Sequence, residues 1–170
     1  MSAVMVRLSQ EEYALAVAKG RTACIGGRSN IVQDKQERDA ALMDHQVTAM
    51  AGQIALSKYW AGSTEPFLVQ RFFADLHKFS GDGGSDLPGT NVDIKTSRKT
   101  AGDLWGYHLW VRAREYKPGT IYILGVFEPE ALAVYLLGWC LGAALTQDAP
   151  GRWGAVAQDL HPLPPAEWRW

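Results

Sequence analysis

One stretch of the sequence decides the predicted fold: Gly81-Asp82-Gly83-Gly84-Ser85-Asp86-Leu87-Pro88-Gly89-Thr90-Asn91-Val92-Asp93-Ile94-Lys95-Thr96-Ser97-Arg98-Lys99. Pro88-Gly89 suits the two central positions of a type II turn, because proline presets φ and glycine accepts a positive φ. From Asn91 to Ser97, apolar or β-branched residues alternate with polar ones, which predicts a half-buried strand. A hairpin around this turn is therefore the first element of the predicted fold.

The same stretch brings two carboxylates and a lysine together. Successive side chains of a strand point to opposite faces, so Asp93 and Lys95 share one face while Ile94 turns into the core. In a hairpin closed by this turn, Asp86 lies diagonal to Asp93, at roughly 7–8 Å between backbones. This arrangement suits a hard divalent cation with an ammonium beside it. A surface hairpin with solvated charges is the alternative that the pattern leaves open.

These groups are the ones that hydrolysis of a phosphodiester bond requires. Asp86 and Asp93 can supply oxygen ligands to Mg²⁺, which also takes ligands from water and phosphate, and the backbone carbonyl of Ile94 is a further candidate ligand. The metal polarises the phosphate and lowers the pKa of a bound water. Lys95 can orient that water or offset charge on the phosphorus. The motif therefore predicts metal-dependent phosphodiester hydrolysis.

The segment resembles the PD-(D/E)XK nucleases, the restriction-endonuclease-like superfamily. Asp86 matches the first acid of that motif, Asp93 matches the second, and Lys95 matches the lysine, while Ser85 stands where the motif has proline. Weaker matching pieces cover residues 52–59, 121–125, 134–139 and 158–162. The chain is similar to small nuclease-like proteins of phages and mobile elements. The resemblance implies an α/β, restriction-endonuclease-like core with a central mixed sheet flanked by helices.

One position departs from the superfamily pattern. The superfamily often has a glutamate on the first core helix that completes the metal shell, and Gln53 occupies the matching position. Glutamine offers a neutral carbonyl oxygen in place of a charged one. Three interpretations stay open: a native variant that still binds metal, an engineered change that traps a complex, or a weakened active site. The candidate catalytic residues are thus Gln53, Asp86, Asp93 and Lys95.

Basic charge gathers next to this motif. The formal net charge is −1, yet residues 95–117 hold six Lys or Arg against two acids, whereas residues 118–170 hold two against five. A phosphate backbone would lie along the basic segment, although a solvated charged face gives the same composition. The candidate DNA-binding residues are Ser97, Arg98, Lys99, Arg112 and Arg114.

The rest of the chain predicts helices and strands around the hairpin. Ser9-Gln10-Glu11-Glu12 is a capping box, which predicts a helix through about Lys19. Apolar residues at helical spacing predict the longest helix over 39–59, and Pro66 favours the start of another through Lys78. Strands are predicted over 108–116, 120–127 and 133–137.

The strand predicted over 108–116 has aromatic and basic residues on one face, namely Trp110, Arg112, Arg114 and Tyr116. Such a face can stack on bases and hold phosphates, or it can be the ordinary outer face of a sheet. The short connection at 117–119 leaves little room for the helix that the superfamily places between its third and fourth strands. Two interpretations stay open: that helix is reduced, or residues 110–116 are themselves helical.

Length and composition predict one domain over residues 1–170, with an N-terminal helical extension at 1–33, a core at 39–145 and a C-terminal extension at 146–170. Cys24 and Cys140 supply neither a disulfide framework nor a set of zinc ligands, which fits a reducing cytoplasm, that of the bacterial host for a phage protein. The uncharged stretch at 131–146 is too short to span a bilayer, so we expect no membrane association. DNA is the expected partner, and a homodimer is left open.

We therefore expect a Mg²⁺-dependent DNA endonuclease, with Mn²⁺ able to substitute. A different class of protein is the main alternative: a non-cleaving module on the same fold that binds DNA or another protein, which Gln53 favours. Cleavage of RNA is a third and weaker option. The sequence gives no cleavage specificity and no biological role.

Overall fold

The computed structural model describes residues 3–25, 35–76, 85–100 and 102–164. Within these ranges the chain forms a mixed α/β fold with three α-helices and two β-sheets. The helices are α1 (Gln10–Ile25), α2 (Lys35–Ala61) and α3 (Glu65–Leu76). The strands are β1 (Val4–Arg7), β2 (Val92–Arg98), β3 (His108–Arg112), β4 (Ile121–Glu128), β5 (Ala133–Leu141), β6 (Thr146–Ala149) and β7 (Arg152–Val156).

The two sheets differ in topology. The first is mixed, in the order β1-β5-β4-β2, with β2 parallel to β4 and the other pairs antiparallel. The second is antiparallel, in the order β3-β7-β6. A parallel pair needs a crossover connection. Between β2 and β4 this crossover carries β3, a strand of the second sheet, where the superfamily resemblance implies a helix.

Two apolar cores cover the two faces of the first sheet. Ile94 of β2 and Ile123 of β4 pack toward the helices, together with Ile54 of α2. On the opposite face, Leu124 of β4 packs with Leu109 of β3. All of β4 from residue 121 to 127 is buried, because helices cover one of its faces and the second sheet covers the other. The edge strand β2 is thus held between α2 and the segment that follows β3.

Helix α2 approaches β2 closely at a glycine. Residues 50–57 of α2 are all buried, and Gly52 lies among them. A Cβ at Gly52 would come within 1.8 Å of Thr96 Oγ1 on β2, so only a residue without a side chain permits this spacing. The close approach brings the next residue, Gln53, to the edge of β2.

Most of the predicted helices and strands are confirmed, with differences at the two ends of the chain and in the hairpin. Among the described residues, β2 pairs only with β4, and residues 85–91 form a turn without a strand, because the amide and carboxylate of Asp86 bond to Val92 and Ile94 in place of a strand partner. The capping box is present: the Ser9 amide donates to Glu12 Oε2 at 2.6 Å, and the Glu12 amide donates to Ser9 Oγ at 3.2 Å. The helix that it starts continues to Ile25. The N-terminal segment, predicted to be helical, also supplies β1 to the first sheet, and the predicted C-terminal extension supplies β6 and β7 to the second.

Some predictions lie outside the described residues. These include the glycines at 81, 83 and 84 and the end of the helix predicted through Lys78. The strand predicted over 108–116 ends at Arg112 and continues as a turn. Among the described helices, none combines the length and the apolar character that crossing a membrane requires.

Candidate functional site

A cleft of about 760 Å³ lies along the edge strand β2, with α2 on one side and the segment from β3 to Lys117 on the other. All four candidate catalytic residues line it. Gln53 comes from α2, Asp86 from the turn before β2, and Asp93 and Lys95 from β2 itself. The fold therefore brings together the residues that the sequence motif singled out.

Asp86 is fixed by the turn and by the open edge of β2. The Thr90 amide donates to the Leu87 carbonyl at 3.2 Å, and Gly89 has φ of 73°, which only glycine adopts readily. Asp86 Oδ2 accepts a hydrogen bond from the Ile94 amide at 2.8 Å. Asp86 is 5% exposed. Its carboxylate pairs with the Ile94 amide, a backbone donor that would otherwise lack a partner at the edge of the sheet.

Gln53 donates to the second oxygen of the same carboxylate. Its Nε2 lies 2.5 Å from Asp86 Oδ1, so both oxygens of Asp86 accept hydrogen bonds. Gln53 is 8% exposed, and its Oε1 has no hydrogen-bond partner among the described residues. A buried acceptor without a partner costs about 1–3 kcal/mol. This oxygen is therefore a candidate ligand atom.

Lys95 lies between two carboxylates. Its Nζ is 3.0 Å from Asp93 Oδ2 and 3.1 Å from Glu115 Oε2. Burial lowers the pKa of Lys95, but the two carboxylates outweigh that effect and raise it from 10.5 to about 12. Lys95 is thus an ammonium at neutral pH, suited to stabilising negative charge and not to accepting a proton.

Glu115 was not predicted from the sequence. It lies in the turn after β3, and the buried Tyr122 holds that turn, since its hydroxyl donates to the Glu115 carbonyl and accepts from the Lys117 amide, both at 3.0 Å. The ion pair joins positions 20 residues apart, Lys95 on the edge strand of the first sheet and Glu115 in the turn that follows a strand of the second. The only signal in the sequence is an acidic residue within a basic segment.

The oxygen atoms at this edge fit a hard divalent cation in chemical type. They are the carboxylates of Asp86 and Asp93, the buried Gln53 Oε1 and the carbonyl of Ile94. The Ile94 amide turns toward Asp86, and in a strand the carbonyl of a residue points to the same side as its amide. Among the described residues there is no group of three or more His, Cys, Asp or Glu that could hold a metal ion. Any metal here depends on two charged and two neutral oxygens.

Among the residues that the structure describes, five basic and three acidic ones line the cleft, so these walls carry an excess of positive charge. The basic residues are Lys95, Arg112, Arg114, Lys117 and Arg152. Of the candidate DNA-binding residues, Ser97, Arg112 and Arg114 lie in the cleft.

Two candidate DNA-binding residues lie elsewhere. Arg98 contacts Asp44, a half-exposed residue of α2. Lys99 Nζ lies 2.6 Å from Glu128 Oε1 at the end of β4. Neither residue lines the cleft, so the structure does not bring them to the carboxylates.

The cleft is also lined by His108, Lys117 and Arg152, which no sequence pattern singled out as site residues. Arg152 reaches it because β7 pairs with β3, where Arg112 and Arg152 are opposite each other. This pairing joins residues that are 40 positions apart, so no local sequence pattern predicts it.

Comparison of the chain with family models, with curated proteins and with solved structures gave no match. The superfamily resemblance therefore stays a prediction from the motif. Function is therefore inferred from the residues that line the cleft.

Proposed function

We propose that the protein is a Mg²⁺-dependent nuclease that hydrolyses phosphodiester bonds in DNA on a restriction-endonuclease-like core. One observation carries this proposal: Asp86, Asp93 and Lys95 line the same cleft as Arg112 and Arg114. Acidic oxygens for a metal, a fixed ammonium and basic side chains for phosphates are the groups that this reaction needs. A phage or mobile-element nuclease of this kind would act in the cytoplasm of its bacterial host.

Each residue has a defined role in this proposal. Asp86 and Asp93, with the neutral oxygens of Gln53 and Ile94, would hold the metal ion. When bound, Mg²⁺ polarises the phosphate and lowers the pKa of a coordinated water. Lys95 supplies a fixed positive charge near Asp93, where it stabilises negative charge that develops on the phosphate oxygens.

Arg112 and Arg114 are proposed to bind the phosphates that flank the scissile bond. Guanidinium groups suit this role, because they stay charged and donate two hydrogen bonds in one plane. Changing both to Gln should flatten the dependence of DNA affinity on salt by roughly 1.4 to 1.8 in the log–log slope, as expected for two lost phosphate contacts. The matched control is the pair Arg98→Gln and Lys99→Gln, which lies outside the cleft. If both double variants show the same slope of affinity against salt, the DNA does not lie along Arg112 and Arg114.

Cleavage assays test the proposal directly. Duplex, single-stranded and branched DNA are incubated with Mg²⁺ or Mn²⁺, and wild type is compared with Lys95→Ala and Asp93→Asn. We expect both variants to lose on the order of 10² or more in rate. Lys99→Ala is the matched control, since Lys99 also pairs with a carboxylate but lies outside the cleft. The proposal fails if neither wild type nor Gln53→Glu cleaves any of these DNA forms.

A non-cleaving DNA-binding protein is the second candidate, and one observation favours it. Gln53 places a hydrogen-bond donor against Asp86 where the superfamily often has a third carboxylate. A site with fewer charged ligands binds Mg²⁺ more weakly, while the basic walls of the cleft still attract DNA. Salt-dependent DNA binding without cleavage, unchanged in Gln53→Glu, would identify this second function.

A further inference from the structure

We propose that the cleft takes unpaired nucleotides, whose bases extend a row of stacked side chains, formed by His108, Trp110 and Arg152, from its exposed end at His108. This inference rests on the proposed function, because it names the form of DNA that the nuclease would bind. The row lies on β3 and β7, on the wall of the cleft that the second sheet provides.

The three side chains of the row are already stacked. The rings of His108 and Trp110 are nearly parallel, with an interplanar angle of 11° and 5.1 Å between their centroids. The guanidinium carbon of Arg152 lies 3.9 Å from the centroid of the Trp110 ring. Along β3 the order is His108, Trp110, Arg112, and Arg152 of β7 is opposite Arg112. His108 and Arg152 therefore lie on the two sides of Trp110 along the strand direction.

A glycine fixes the position of the central ring. Trp110 is opposite Gly154 on β7, and a Cβ at Gly154 would come within 2.3 Å of the ring. The indole therefore occupies the space above Gly154, where a side chain would otherwise project. His108 is exposed at the end of the row, so its ring can receive a base.

The row leads to the carboxylates. From His108, β3 runs past Trp110 to Arg112, and the following turn ends at Glu115, which contacts Lys95. A DNA strand whose bases stack on the row would have its phosphates along Arg112 and Arg114, in the direction of Lys95. Aromatic rings and arginine planes are the groups on which single-stranded nucleic acids stack their bases.

Paired DNA does not use such a row. In a duplex the base faces are covered by neighbouring base pairs, so a protein ring can reach them only when a base is unpaired or the stack is opened. The volume of about 760 Å³ is also in the range of pockets that hold small ligands, which suits a few nucleotides. The covered base faces of a duplex and the volume of the cleft both favour single-stranded DNA or an unpaired segment at a junction or end.

Fluorescence anisotropy with labelled DNA tests the inference. A 12-nucleotide single strand and the duplex of the same sequence are titrated with protein in EDTA, which prevents metal-dependent cleavage. We expect wild type to bind the single strand more tightly than the duplex. His108→Ala should weaken single-strand binding by roughly 5-fold or more and leave duplex binding within about 2-fold, since each stacked base contributes measurably.

The chain provides a matched control. His161 is also exposed and rests on a tryptophan, with 4.8 Å between its ring centroid and that of Trp139, but it does not line the cleft. His161→Ala should leave both affinities unchanged. Equal binding of single strand and duplex by wild type, or equal effects of the two histidine variants, would overturn the inference. Thermal melting confirms that both variants are folded.

The outcomes separate this inference from the proposed function. If wild type cleaves DNA but His108→Ala leaves single-strand binding unchanged, the stacking proposal fails and the nuclease proposal stands. If no DNA is cleaved but the preference for single strands depends on His108, the stacking proposal stands alone. A single strand carrying 5-iodouracil provides a second measurement: its photocrosslink should map to His108 or Trp110, and a crosslink that maps only outside the cleft contradicts the proposal.

Discussion

Gln53→Glu is the substitution whose effect the structure defines most closely. Gln53 Nε2 donates to Asp86 Oδ1 at 2.5 Å, and both residues are buried. A hydrogen bond to a charged group contributes about 1.5–3 kcal/mol to stability. The substitution replaces this donor with a second carboxyl group, so at pH 8 in EDTA we expect the free energy of unfolding to fall by about 2–3 kcal/mol.

The effect should depend on pH in a definite direction. Burial and the neighbouring carboxylate of Asp86 both raise the pKa of the introduced carboxyl above its value in the unfolded chain. A raised pKa in the folded state means that stability is retained at low pH and lost as the pH rises through that pKa. The variant should therefore be close to wild type near pH 5, where the protonated carboxyl can donate to Asp86. Above pH 5, its loss of unfolding free energy relative to wild type should grow by at most about 1.4 kcal/mol per pH unit.

A divalent cation should reverse the destabilisation. Three carboxylates bind Mn²⁺ more strongly than two, so Mn²⁺ should raise the melting temperature of Gln53→Glu more than that of wild type. Urea denaturation at pH 5, 7 and 8, with EDTA or Mn²⁺, measures both effects. Gln46→Glu is the control, because Gln46 lines the same cleft two turns earlier on α2. We expect it to change stability by no more than about 0.5 kcal/mol. Equal deficits in the two variants, or a deficit in Gln53→Glu that does not vary with pH, would refute the reasoning.

Two further predictions concern β2. Because the pKa of Lys95 is raised from 10.5 to about 12, its contribution to stability is complete below about pH 10 and is lost toward pH 12. The difference in unfolding free energy between wild type and Lys95→Met should be constant from pH 7 to 9 and shrink by about 2 kcal/mol at higher pH. If this difference already shrinks near pH 8, the ion pairs of Lys95 are absent. Gly52→Ala should cost about 1–3 kcal/mol, because its Cβ meets Thr96, and Thr96→Ala should recover part of that loss in a double-mutant cycle.

The sequence predicts the local parts of the site well, because local chemistry determines them. Pro88-Gly89 specifies the turn, and the alternation from Asn91 to Ser97 specifies which side chains of β2 are buried. The capping box at Ser9 determines the start of α1 through contacts within one turn. In each case the deciding interactions lie within a few residues of one another.

The features of the site that the sequence does not predict depend on contacts between distant segments. The contact of Lys95 with Glu115 and the arrival of Arg152 in the cleft both follow from how the second sheet packs and pairs. The position of Arg98 is a different case. On β2, Asp93 and Lys95 share one face, and Arg98 lies on the opposite one by the same alternation. The period of the strand thus indicates that Arg98 turns away from Asp93 and Lys95, and the structure has it in contact with Asp44 of α2.

In the proposed nuclease, Glu115 would keep Lys95 at the site when a metal ion binds. Asp93 Oδ2 contacts Lys95, so a metal ligated by Asp93 would compete with that ammonium for the same carboxylate. Without a second partner, Lys95 would be repelled from the cleft when the metal binds. Glu115 supplies that partner from the other wall, on a turn that the buried Tyr122 fixes. The proposed nuclease therefore needs an acid on the β3 segment as well as the two acids of its motif.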